Sequence, residues 1–202
     1  MHIPKGSSRG ELEVRKSRFL YEAHPITSRD DVVSLIAEAR VQHPQANHVV
    51  HAFVLGQKGD IFGMSDDREP KNTAGRPALE VLKGSGITNT AVLVVRYFGG
   101  TKLGTGGLVK AYGDAARRAL QDLPTEPLVI RRSFSLETPY HLYEQVRLLL
   151  RAYRADILDE EFTTEVSLSG VIPEEEVQSL SRDLQEISSG TVTLCAGLEE
   201  SK

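Results

Sequence analysis

Ala91-Val92-Leu93-Val94-Val95-Arg96-Tyr97-Phe98-Gly99-Gly100-Thr101-Lys102-Leu103-Gly104-Thr105-Gly106-Gly107 decides how this 202-residue chain is organised. Residues 91–95 are uninterruptedly apolar, and three of them are valine, so they cannot alternate between core and solvent. A central strand buried on both faces is expected there. The glycines at 99, 100, 104, 106 and 107 then permit positive φ and close backbone approach. Leu108, Tyr112, Ala115 and Ala119 recur at helical spacing, so a helix should follow the glycines. Its first amides lack internal partners and sit at the positive end of the helix dipole, which favours an anion beside Lys102. The loop is not a Walker A motif, because no Gly-Lys-Ser/Thr closes it. Gly104-Thr105-Gly106 is followed by Val109 where a dinucleotide fingerprint needs its third glycine. Two readings stay open: a tight turn with close helix–sheet packing, and contact with an anion or a nucleic-acid backbone.

The single cysteine, Cys195, cannot form an internal disulfide, and a structural zinc site would have to draw its ligands almost wholly from six scattered histidines and the carboxylates. No stretch approaches the ~18 apolar residues of a membrane span. Met1 to Glu13 has no apolar core of the signal-peptide kind, so a cytoplasmic protein with no membrane partner is expected. The net charge of −4 hides an asymmetry: residues 1–125 carry 17 Lys+Arg against 13 Asp+Glu, and residues 126–202 carry 7 against 15. Pro124 and Pro127 fall where the charge changes, so Gln121 to Pro127 reads as a linker. Two domains are expected, 11–122 and 127–198, with residues 1–10 a loose terminus.

In the first domain, Leu12 to Ile26 reads as extended. Ser28 and Asp31 cap a helix carrying Val32, Leu35, Ile36 and Ala39, which stops before Pro44. His48 to Leu55 alternates as a strand, with His48 and His51 on opposite faces, so the two cannot share a metal ion. Ile61 to Met64 forms a hairpin with it. Ser65-Asp66-Asp67-Arg68-Glu69-Pro70-Lys71-Asn72-Thr73-Ala74-Gly75-Arg76-Pro77 follows, with Thr73 as the expected cap of the next helix. Its three carboxylates either hold a divalent cation or form an acidic turn neutralised by Arg68, Lys71 and Arg76. The sequence favours the turn.

The second half reads as strand (Leu128, Ile130, Phe134, Leu136), helix (Leu142, Tyr143, Val146, Leu149, Leu150) and strand from Ala155. Then come a strand through Val166 and Leu168, a helix with Val177, Leu180, Leu184 and Ile187, and a last strand through Val192, Leu194 and Ala196. This is the βαββαβ order of a ferredoxin-like fold. Arg131, Ser133, Ser135, Thr163, Glu165, Ser167, Thr191, Thr193 and Cys195 fall on the open sheet face. That face is polar and lacks the aromatic rings of an RNA-recognition motif.

Lys16-Ser17-Arg18-Phe19, His43-Pro44-Gln45-Ala46-Asn47-His48, Ser65 to Pro70, Thr73 to Pro77 and Val94 to Tyr112 together resemble the YigZ/IMPACT family. The resemblance covers about residues 14–120 and continues into a bacterial type of C-terminal domain. It implies an α+β protein of two domains: an N-terminal left-handed βαβ fold, shared with domain IV of translocation factors and a small-subunit ribosomal protein, and a ferredoxin-like second domain. The family usually has glycine where Arg68 and Asn72 stand. Asparagine tolerates a left-handed backbone, whereas Arg68 should move the chain or add a charge.

The function expected is that of a translation-linked regulator binding RNA, a ribosomal component or a protein partner, more in keeping with a non-enzyme than an enzyme. Arg96, Lys102, Gly104, Gly106, Gly107 and Lys110 are the expected phosphate or nucleic-acid contacts, sharing one concave surface. Ser65, Asp66, Asp67, Glu69, Thr73 and Arg76 form the expected motif surface, with no catalytic residue, metal or cofactor assigned. The rival expectations are an enzyme on a small phosphorylated or nucleotide substrate, with Asp66, Asp67 or Glu69 holding metal, and a pure protein–protein regulator in which both motifs shape a docking surface.

Overall fold

A computed structural model describes residues 1–197, which fall into two compact units meeting at Leu128 and Val129. The strands of the first unit are β1 (His2–Pro4), β2 (Ser8–Val14), β3 (Ser17–Pro25), β4 (His48–Leu55), β5 (Ile61–Ser65), β6 (Thr90–Tyr97) and β7 (Thr125–Pro127). Its helices are α1 (Arg29–Gln42), α2 (Gly75–Gly84) and α3 (Gly104–Gln121). The main sheet has the order β2-β3-β6-β4-β5. β6 is its central strand, antiparallel to both neighbours. β3 and β4 therefore run parallel on either side of β6, joined by α1, which is a βαβ unit held open by an inserted strand.

The apolar run of β6 is explained by cover on both faces. Val92 and Val94 meet α2 and α3 together with Phe19, Tyr21, Val50, Leu82, Leu108 and Tyr112. Ala91, Leu93 and Val95 meet α1 through Val32 and Ala39. α1 begins with the expected capping box, the Ser28 hydroxyl accepting from the Asp31 amide and the Asp31 carboxylate accepting from the Ser28 amide. His48 and His51 lie on opposite faces, with Val50 and Val49 respectively as their same-face neighbours in the two cores.

Two sequence expectations are corrected here. Residues 1–10 are not a loose terminus: β1 pairs with β7, and the Ser8 hydroxyl donates to the Ala119 carbonyl inside the unit. The same pairing makes Thr125–Pro127 part of a ribbon, so the segment that reads as a linker is built into the first unit. Leu12 to Ile26 is extended, as expected, and forms two strands, because Arg15 and Lys16, at φ of 48° and 68°, turn the chain between Val14 and Ser17. A two-residue turn with both φ positive matches the twist of a hairpin, but here it lacks the usual Asn-Gly signal.

The second unit contains β8 (Arg131–Thr138), α4 (Tyr143–Ala152), β9 (Asp156–Phe162), β10 (Val166–Pro173), α5 (Val177–Ile187) and β11 (Cys195–Ala196). A single turn of 3-10 helix, Glu174–Glu176, precedes α5. The sheet order β11-β8-β10-β9, antiparallel throughout, is ferredoxin-like. Phe134, Leu136, Val166, Leu168 and Ile172 pack on Val146 and Leu150 of α4 and on Leu180 and Leu184 of α5, so both helices cover one face. The last strand is shorter than expected. Val192 is buried in the core, but β11 comprises only Cys195 and Ala196.

Candidate functional site

The motif stretches of the first unit converge at the C-terminal end of β6, around Arg96 and the glycine loop that follows. Arg96 is not a surface cation. It is 5% exposed, and its Nη1 donates to Glu69 Oε1 at 2.5 Å. The Tyr112 hydroxyl donates to the same oxygen at 2.8 Å, and His48 Nε2 lies 3.7 Å from it. Burial, and then the negative charge of Glu69, holds the Tyr112 phenol far above its ordinary range, so it remains a donor. An unpaired buried carboxylate is costly, and this one has a guanidinium and a phenol for partners. The guanidinium also lies 5.4 Å from the Phe19 ring centre and 5.7 Å from that of Phe98. This corrects the expectation that Arg96 faces a ligand with Lys102 and Lys110: it ties the strand end, α3 and the acidic motif together.

The other acids of the motif are held by the backbone. Asp66 accepts from the amides of Asn72, Ala74 and Gly75 at 2.8 to 3.0 Å, and so caps α2 from a distance in sequence. Thr73, the expected cap, instead donates its hydroxyl to the Pro70 carbonyl. Asp67 accepts from the Val49 amide at 2.6 Å and from Arg40 at 2.8 Å. Burial pushes its carboxyl upward, but the Val49 amide and the Arg40 charge outweigh that and hold it below the usual carboxylate range. Ser65 accepts from the Asp67 amide, and Arg76 stays exposed, 4.0 Å from Glu80. Asp67, Arg68 and Asn72 have φ of 40°, 69° and 63°. Arg68 therefore keeps the left-handed backbone that glycine would adopt, as does Asn72. Among the described residues, no three His, Cys, Asp or Glu side chains form a metal-holding group.

The glycine loop is built against the β2–β3 hairpin. The Gly99 amide donates to the buried Ser17 hydroxyl at 3.1 Å, and the Phe98 amide donates to Asn47 Oδ1 at 2.7 Å. A Cβ on Gly99 would stand 2.0 Å from the Lys16 carbonyl carbon, so only glycine fits there. Gly104 opens α3 at φ 73°, and added Cβ atoms at Gly104 and Gly106 would meet nothing. Among the described residues, no side chain caps α3. Arg15, Gly107 and Lys110 line one cleft with Val14, Leu103 and Asp114. Lys102 and Gly106 are exposed beside it in the chain. Arg15, Lys16, Lys102 and Lys110 make no ion pair among the described residues. Phe98, 48% exposed, stands at the entrance to the loop.

Arg15, Lys16 and Phe98 are the members of this surface that sequence reasoning missed. The Lys16-Ser17-Arg18-Phe19 stretch contains the signal. It becomes readable only once the hairpin turn places Lys16 against Gly99.

An Impact N-terminal domain model matches residues 15–120, and a model described as a domain of unknown function (DUF1949) matches residues 136–191. The chain is 37% identical to an "IMPACT family member" of Haemophilus influenzae over 95% of this chain and 94% of that protein. It is 36% identical to "IMPACT family member YigZ" of Escherichia coli over 91% of each. It is 30% identical to "IMPACT family member YvyE" of Bacillus subtilis over 92% of this chain and 86% of the relative. A solved structure described as "Crystal structure of an hypothetical protein" superposes with a TM-score of 0.68 at 34% identity, covering 99% of this chain and 98% of the other. Among the described residues, no helix is long and apolar enough to cross a membrane.

Proposed function

The chain belongs to the IMPACT family, and on that premise we propose that it is a translation-linked regulator whose first unit binds the backbone of single-stranded RNA at the α3 end of the glycine loop. The observation that carries this reading is a cluster of cations with no ion-pair partner among the described residues. Arg15 and Lys110 share a cleft with Gly107, while Lys16 and Lys102 flank the same loop. Uncapped amides at the positive end of an 18-residue helix favour a phosphate, and glycines with open space above them let it approach. Phe98 adds an exposed ring on which a base can stack, a sequence-tolerant interaction. RNA of the translation machinery is the class to which the family resemblance points. The acidic motif supports a binding protein over a metal-assisted enzyme, because Asp66, Asp67 and Glu69 already accept from amides, Arg40, Arg96 and Tyr112.

The test is ultraviolet crosslinking of the full-length protein in cells, followed by sequencing of bound RNA and mass spectrometry of crosslinked peptides. Crosslinks are expected at Phe98 and in the 99–110 peptide, and K102A/K110A should deplete them. RNA recovery no higher than from an unrelated protein of similar charge would overturn the proposal.

A further inference from the structure

The three longer edge strands of the two main sheets are not equally protected. β2 carries Arg9, Glu11 and Glu13 on its exposed positions, and β9 carries Asp156, Asp159, Glu160 and Glu161. Charges of this kind blunt a free edge against pairing with another chain. β5 reads Ile-Phe-Gly-Met-Ser, with no charge and no proline. It pairs with β4 alone, and no other backbone hydrogen bond reaches Ile61 to Met64 among the described residues. Ile61, Phe62 and Met64 are 43%, 46% and 38% exposed, so the edge is apolar as well as open.

We propose that β5 is the contact between two copies of this chain, paired antiparallel about a two-fold axis at Gly63. The occupant follows from the strand's self-complementarity. A two-fold contact sets each patch against itself, so an edge charged with one sign, as β9 is, repels its copy and an uncharged one does not. In the register centred on Gly63, Phe62 stands opposite Met64 of the second copy, and Met64 opposite its Phe62. Ile61 likewise faces Ser65. Phe62 and Met64 lie on one face, that of α2, where Lys83 Nζ sits 3.7 Å from the Phe62 ring centre and Met64 Sδ reaches the Gly75 position. Two methionine–phenylalanine pairs thus form side by side, an arrangement favoured by a polarisable sulfur against an aromatic ring. Gly63 is kept small by its own sheet, since a Cβ there would meet the Phe53 ring at 2.6 Å. The axis position is consistent with either set of β5 amides pointing outward, because residues equidistant from position 63 belong to the same set.

Sedimentation of the full-length protein from micromolar to millimolar concentration tests this, with expected concentration-dependent dimerisation. F62E/M64E places like charges at both facing pairs and should weaken the dimer at least about tenfold, with an unchanged unfolding midpoint at concentrations where the wild type is monomeric. F62E/M64K places opposite charges at the same pairs and should restore association. A second readout uses C195S protein bearing F62C or M64C. A disulfide should form when the two variants are mixed and not within either variant alone. A monomer throughout the concentration range overturns the proposal and leaves the edge to the strand of a different protein. So does a dimer indifferent to F62E/M64E, or crosslinking as strong within one variant as in the mixture.

Discussion

The starts of α2 and α3 are built from similar residues and have opposite fates. Both helices begin at glycine, both lack a cap from the residue before them, and charged side chains surround both. At α2 the amides of Ala74 and Gly75 are taken by Asp66, and the neighbouring acids are tied to Val49, Arg40, Arg96 and Tyr112. Among the described residues, no side chain bonds the first amides of α3, the Asp114 carboxylate of the neighbouring cleft pairs with Arg117, and Arg15, Lys16, Lys102 and Lys110 have no ion-pair partner. A charged group already paired within the fold can serve a ligand only by breaking that pair, whereas an unpaired one is available at little cost. Within one unit, the charges at α2 are therefore tied into the architecture, and those at α3 remain available for the interface proposed above.

That separation predicts a ranking of stability effects. The largest belongs to Glu69→Ala, which strands the Arg96 guanidinium in the core and should cost about 3–5 kcal/mol in urea unfolding. An effect below about 1 kcal/mol would mean that the Glu69–Arg96–Tyr112 cluster is not the strut described here. Asp66→Ala removes the acceptor of three amides and should cost roughly 2 kcal/mol, with faster hydrogen exchange confined first to the start of α2.

Asp67 adds a pH dependence. Its folded-state pKa lies below the ordinary value near 3.9, so its contribution is complete above that pH and is lost as pH falls through the lower folded-state value. Urea midpoints measured from neutral pH down through that window should fall more steeply for wild type than for Asp67→Asn. Parallel curves would show that the Val49 amide and Arg40 do not hold the charge. Arg68→Gly relieves a left-handed arginine at φ 69° and should raise stability by about 0.5–1 kcal/mol. A decrease would show that Arg68 contributes more through its charge beside Asp67 than its backbone costs.

The central strand, the helix after the glycines and the βαββαβ order are legible in the sequence because periodicity reports directly on which faces are buried. Val92, Val94, Phe134 and Leu184 lie where that pattern requires. Pairings between distant segments are not legible. Nothing local announces that Asp66 caps a helix nine residues on, that Glu69 reaches Arg96, or that β1 finds β7. Arg96 misleads for the same reason. An arginine just before a glycine loop has the spacing of a ligand contact, and only the tertiary position of Glu69 turns it inward. Arg15 and Lys16 are hidden by a hairpin turn whose two residues carry no turn signature.

The most direct test of the account is the salt dependence of binding to a single-stranded RNA oligomer, followed by fluorescence anisotropy on wild type and K102A/K110A. Affinity should fall linearly in log–log form with added salt, and the double variant should lower the slope by about 1.4, roughly 0.7 for each phosphate no longer neutralised. Its unfolding free energy should stay within about 0.5 kcal/mol of wild type, as expected for surface cations without an ion-pair partner among the described residues. Binding insensitive to salt, or a slope unchanged in K102A/K110A, would contradict the assignment of the glycine loop as the interface.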